Sequence, residues 1–192
     1  MKKFLSLAMV ASLLFAATSC AQKASSVEIS FNYERQDGPG SNQYAVWVEN
    51  AQGQVVRTLF VTSYTTKGRA RGDEELVRGY IKRPNCVPTW VKTVKANDLS
   101  DEEMDAFTGA TPQNSGVQTF TWDLKDQNGV NVPKGTYTIN VEATLIFESI
   151  VKYQASFSTS DEVEKSLTFT RTITKEDETH GGMISDVKAV TK

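Results

Sequence analysis

Histidine and cysteine are nearly missing from this sequence: 192 residues carry one histidine, His180, and two cysteines, Cys20 and Cys86. A structural zinc site takes four such ligands, so a His/Cys zinc cluster within the chain is excluded. Ser-His-Asp or Cys-His catalysis would rest on a single base. Charge of one sign is missing too. The 21 Lys+Arg face 23 Asp+Glu, a net charge of −2, and sequence-independent nucleic-acid binding needs a strong basic excess. No glycine-rich phosphate loop with a lysine, no metallohydrolase signature and no solenoid repeat occurs. Most hydrolase readings fail on these absences, and the length suits one domain, or one domain with an insertion.

What is present begins with a leader. Lys2 and Lys3 precede an apolar run over 4–17, and Ala17, Thr18 and Ser19 lead into Cys20. A basic start, an apolar stretch short for a membrane span and small residues at its exit predict a secretory signal peptide over 1–19. A cysteine directly after small residues resembles the bacterial lipoprotein signal. That resemblance implies that Cys20 is lipidated, with acyl chains anchoring the domain at about 0.8 kcal/mol per buried CH₂. Cleavage after Ala21, giving a soluble secreted protein, is the other option. Residues 20–26 are then the lipidated cysteine and a polar leader, and Cys86 is the only thiol of the folded part, expected to be buried.

From residue 27 onward a period of two dominates. Val27, Ile29, Phe31 and Tyr33 alternate with polar residues, as do Tyr44, Val46 and Val48 against Ala45 and Trp47. After a turn at 51–53 the pattern resumes over 55–61, then over 117–122, 137–145, 151–157 and 167–173, with a short last strand at 183–190. Seven or more half-buried strands predict an all-β, Ig-like antiparallel sandwich over 27–192, with one face of each sheet in the core and one in water.

Residues 65–115 break the pattern and read as an insertion with short helices. Lys67, Arg69, Arg71, Arg78, Lys82, Arg83, Lys92 and Lys95 make it basic, and Asp73 suits the cap of a short helix reaching Tyr80. Ser100 and Glu103 have capping-box spacing, and the helix they start should stop at Thr108 and Gly109, glycine serving as its C-cap. Asp101, Glu102, Glu103 and Asp105 then form its acidic start and exposed side rather than an acid/base pair. His180 falls in a loop and is expected in solvent.

Two resemblances add to this reading. Trp122, Asp123, Asp126, Asn128, Gly129, Pro133, Gly135 and Tyr137 fall in a W-D…D-x-N-G…V-P-x-G-x-Y order similar to a hairpin of Ig-like domains in flagellar hook-capping proteins. Asn128–Gly129 suits a tight turn, and Asp123, Asp126 and Asn128 lack the later carboxylate of a calcium loop. More widely, the segments at 44–49, 56–59, 87–90 and 105–111 and the W-D hairpin, in that order, resemble a family of predicted periplasmic proteins, domain-of-unknown-function family 2271.

Within that stretch, 105–111 reads D-x-x-T-G-A-T, similar to the acceptor motif that flavin transferases recognise in extracytoplasmic proteins. The resemblance implies that Thr111 takes FMN as a phosphoester from FAD. It makes Asp105 and Thr108 recognition residues, and Gly109 and Ala110 the space through which the transferase reaches the hydroxyl. The implied partners are a flavin transferase, membrane or periplasmic redox proteins, and the membrane itself through the lipid anchor. Trp90, Phe107 and Trp122 are candidates to stack on the flavin ring, or core residues; the basic residues could meet a phosphate or an acidic partner, or form a solvated face. The competing expectation is a structural turn over 107–112 in a cofactor-free interaction or structural lipoprotein. Independent catalysis is not expected under either reading, since no nucleophile–base pair is visible.

Overall fold

The computed structural model describes residues 22–37, 42–67, 86–146, 148–175 and 182–192. The expected signal peptide, Cys20, the basic residues from Arg69 to Arg83 with the Asp73 helix, and His180 lie outside the described residues.

The alternating segments fold as strands. β1 (Val27–Tyr33) pairs antiparallel with β5 (Gly116–Trp122) on one side and β10 (Ile184–Thr191) on the other, and β8 (Ser166–Leu167) completes a four-stranded sheet. A six-stranded sheet runs in the order β4 (Thr108–Gly109), β3 (Val55–Thr62), β2 (Gln43–Asn50), β6 (Thr136–Ile146), β7 (Ser149–Ser158), β9 (Phe169–Ile173). Its pairs are antiparallel except β3 with β4. Helices α1 (Ser63–Lys67), α2 (Pro88–Thr93) and α3 (Asp101–Asp105), with a 3₁₀ turn at Ala96–Asp98, occupy the expected insertion. The result is the expected all-β sandwich.

One expected strand is really two. The stretch 167–173 divides: β8 pairs with β10 and β9 pairs with β7, so the chain changes sheets between Leu167 and Phe169. Strands that switch sheets in this way make the corners of sandwiches.

The main core lies between the sheets. Val27, Ile29, Phe31 and Tyr33 of β1 meet Tyr44, Val46 and Val48 of β2 and Ile139, Val141 and Leu145 of β6, all buried. Each fully buried aliphatic or aromatic side chain of this kind contributes about 1.5–3 kcal/mol. At one end Trp122 is wholly buried, edge-on to Tyr137 (5.3 Å) and Phe157 (5.6 Å), while Tyr137 Oη donates to Pro133 O at 2.6 Å. A tyrosine bonded back to the backbone a few residues upstream is a familiar device of Ig sandwiches.

The outer face of the six-stranded sheet departs from the sequence expectation. It is not wet over β2 and β6. Ala45 and Trp47 pack with Val61, Val87, Trp90, Val91, Met104 and Phe107 in a second core. The described part of the insertion is therefore a lid of short helices laid on the sheet. A buried carboxylate fastens it: Glu142 on β6 accepts from Thr89 N (3.0 Å) and Trp90 N (2.9 Å), satisfying orphan amides at the start of α2. Beside it, Thr144 Oγ1 accepts from Val87 N at 2.9 Å. Burial pushes the Glu142 carboxyl above its ordinary value, and the amide bonds and nearby Lys152 oppose that shift.

Candidate functional site

The acceptor-like segment begins on α3. Ser100 caps this helix as expected: its hydroxyl accepts from Glu103 N (3.2 Å), while Ser100 N donates to Glu103 Oε2 (2.7 Å). Bonds to its carboxylate, first from the Ser100 amide and then from the Ser100 hydroxyl, hold the Glu103 carboxyl below its usual range. The helix then stops earlier than the sequence suggested. Its last residue is Asp105 and its C-cap is Ala106, in right-handed helical conformation. Gly109 is no C-cap; Thr108 and Gly109 instead add to the edge of β3, parallel to Val61 and Thr62, with Val61 N donating to Phe107 O at 3.0 Å. Thr108 Oγ1 donates to Met104 O at 2.7 Å and sits 3.2 Å from Thr66 Oγ1.

Past β4 the chain crosses to the other sheet. Residues 110–115 form a strap that ends where Gly116 pairs with Tyr33 in the four-stranded sheet. Pro112 O accepts from Tyr33 Oη (3.3 Å) and Arg35 Nη1 (3.1 Å), and Ser115 Oγ accepts from Arg35 N (2.9 Å). Tyr33 is placed by Asn42, whose Oδ1 lies 3.1 Å from its hydroxyl. The strap is thus bonded to β3 at one end and to β1 and the segment after it at the other.

Thr111 lies within this strap. Its side chain is half-buried, its carbonyl accepts from Gln113 Nε2 at 2.9 Å, and its hydroxyl has no hydrogen-bond partner among the described residues. Ala110 before it and Gln113, Asn114 and Ser115 after it are exposed, as is Asp105. Of the residues singled out in sequence, Asp105, Ala110 and Thr111 therefore face outward in some part, whereas Thr108 and Gly109 are engaged with the sheet.

Of the two options for Trp90, Phe107 and Trp122, the structure shows core packing. Trp90 and Trp122 are fully buried and Phe107 is 6% exposed. Trp90 stands edge-on to Phe107 at 5.7 Å and donates from Nε1 to Thr58 Oγ1 at 3.1 Å, so no face of it is open to a flavin. Lys92 and Lys95, the part of the basic stretch with described side chains, are exposed beside a cleft of about 780 Å³ that Val55, Thr58, Phe107 and Gln127 also line.

The W-D hairpin is a tight turn, as expected. Asp126 Oδ1 accepts from Asn128 N and Val130 N, both at 2.9 Å, and Gly129 has a φ of 78°. Its tip docks on β3: Gln127 N donates to Val56 O (2.9 Å) and Arg57 Nη1 to Asp126 O (2.6 Å). The turn and β4 together cover the outer edge of β3, which would otherwise expose unpaired backbone groups.

Sequence reasoning missed Arg35. It stands 77 residues from Pro112 in the chain, and no spacing rule joins them.

No curated protein and no solved structure matches the chain. A family model described as "Predicted periplasmic protein (DUF2271)" matches residues 25–172, from just before β1 to within β9. The chain belongs to this family of predicted periplasmic proteins.

Proposed function

We propose that the protein is an envelope lipoprotein, anchored through Cys20, that carries FMN on Thr111 and passes electrons between extracytoplasmic redox partners without a substrate reaction of its own. The observation that carries this reading is the Thr111 hydroxyl: half-buried, unbonded among the described residues, and held on a strap fixed to both sheets. An acceptor for an external enzyme needs a free nucleophile in a defined place, and the strap supplies both. In the loading step, the Thr111 oxygen attacks the FMN-side phosphorus of FAD. The bond from that phosphorus to the bridging oxygen breaks, AMP leaves, and the hydroxyl proton passes to the transferase or solvent. The isoalloxazine supplies one- or two-electron chemistry when bound; the protein supplies tether and surroundings. With Trp90, Phe107 and Trp122 committed to packing, the ring stands on the protein's surface or in a partner's site.

The test is co-expression with a flavin transferase, followed by a denaturing gel and intact-mass measurement. A fluorescent band with the mass of an added FMN phosphoester, lost in Thr111→Ala, supports the proposal. A dark band of unmodified mass overturns it in favour of a cofactor-free interaction module.

A further inference from the structure

We propose that Arg35 is the counter-ion of the phosphodiester on Thr111, a role that rests on the reading just given. Arg35 touches the strap twice, through its amide to Ser115 Oγ and through Nη1 to Pro112 O, the carbonyl next in sequence to Thr111. Its exposed guanidinium also lies close enough to the Tyr33 hydroxyl to act on it, and it makes no ion pair among the described residues. An arginine offers five N–H donors in a planar fork, and the contacts to Pro112 O and Tyr33 leave others of them for an anion on the strap. A phosphodiester is a monoanion with two unesterified oxygens, which such a fork can receive as a bidentate pair. The bond to Pro112 O fixes the direction from which the guanidinium approaches. Without an anion the arrangement leaves a cation with no ion pair among the described residues and an unbonded hydroxyl on one strap; with one, both are used. Charge pairing at the first atoms of the linker then holds the tether against the strap while the flavin ring remains free.

Phosphorus NMR on the flavin-loaded protein tests the assignment, comparing wild type with Arg35→Gln, Arg35→Lys and Lys134→Gln. Lys134 is an exposed cation in the turn before β6, away from the strap, and serves as a charge control. The native phosphodiester resonance should shift in Arg35→Gln, shift less in Arg35→Lys and stay in place in Lys134→Gln, and all four should coincide in urea. Folded Arg35→Gln that takes up no flavin while Arg35→Lys does also supports the pairing, acting already at the loading step. If both Arg35 variants fold and neither loads, charge is not what the residue supplies and the assignment falls. Wild-type protein that loads and shares its native resonance with Arg35→Gln overturns the Arg35 assignment alone; wild-type protein that takes up no flavin overturns the reading beneath it.

Discussion

Gly109 lies directly beneath the ring of Phe60: a Cβ at position 109 would stand 2.1 Å from Phe60 Cε2. The ring has little room to retreat, being stacked on Tyr44 at 5.1 Å and packed against Phe120 at 5.3 Å. A glycine that sequence comparison assigns to enzyme access therefore has a packing reason of its own. Gly109→Ala should lower unfolding free energy by about 1–3 kcal/mol, the range for overpacking. In a double-mutant cycle with Phe60→Leu, urea denaturation should show a coupling of about 0.5 kcal/mol or more. Additive effects would separate the two residues.

Thr111→Ala should leave stability within about 0.5 kcal/mol of wild type, because the hydroxyl it removes bonds nothing among the described residues. It should abolish flavin uptake, whereas Thr111→Ser keeps it. A large loss of stability on removing the hydroxyl would mean that it serves the fold.

Glu142 gives stability a pH dependence of defined sign. Its carboxyl is raised above 4.5 in the folded protein, chiefly by burial, so between the unfolded and folded values the native state holds more protons. Stability from this group is full below the unfolded value and is lost as pH rises through the folded one. The stability of wild type relative to Glu142→Gln, measured in urea at a series of pH values, should fall as pH rises from 4.5. A difference that is flat or grows would contradict the assignment.

Trp90→Ala should cost about 3–5 kcal/mol, the range for emptying a buried tryptophan site. Trp90→Phe keeps most of the packing but loses the indole bond to Thr58, worth about 0.5–1.5 kcal/mol. If either variant were neutral in urea denaturation, the second core would not contribute to stability.

The strands were legible because a period of two is a local signal: the faces of β1, β2, β6 and β7 can be read residue by residue. The Ser100–Glu103 box was legible for the same reason, since cap and partner are three residues apart. What escaped was non-local. Trp47 reads as a solvent-face residue until Trp90 and Val87 arrive from the insertion to cover it. Gly109 after a short helix reads as a C-cap; only the edge of β3 explains why it is a strand residue. Arg35 carries no motif, and its bonds to Pro112 and Ser115 depend on β1 and the strap meeting at one end of the sandwich.

With a core on either side, the middles of β2 and β6 have no face that tolerates exchange. In most antiparallel sandwiches a one-residue slip swaps an oily row for a hydrophilic one. Here it would drive Glu142 into the aliphatic interior and pull Val141 or Ala143 under the helices, damaging both layers together. Insertions and deletions should accordingly be accepted in the connections at the ends of these strands and refused within them.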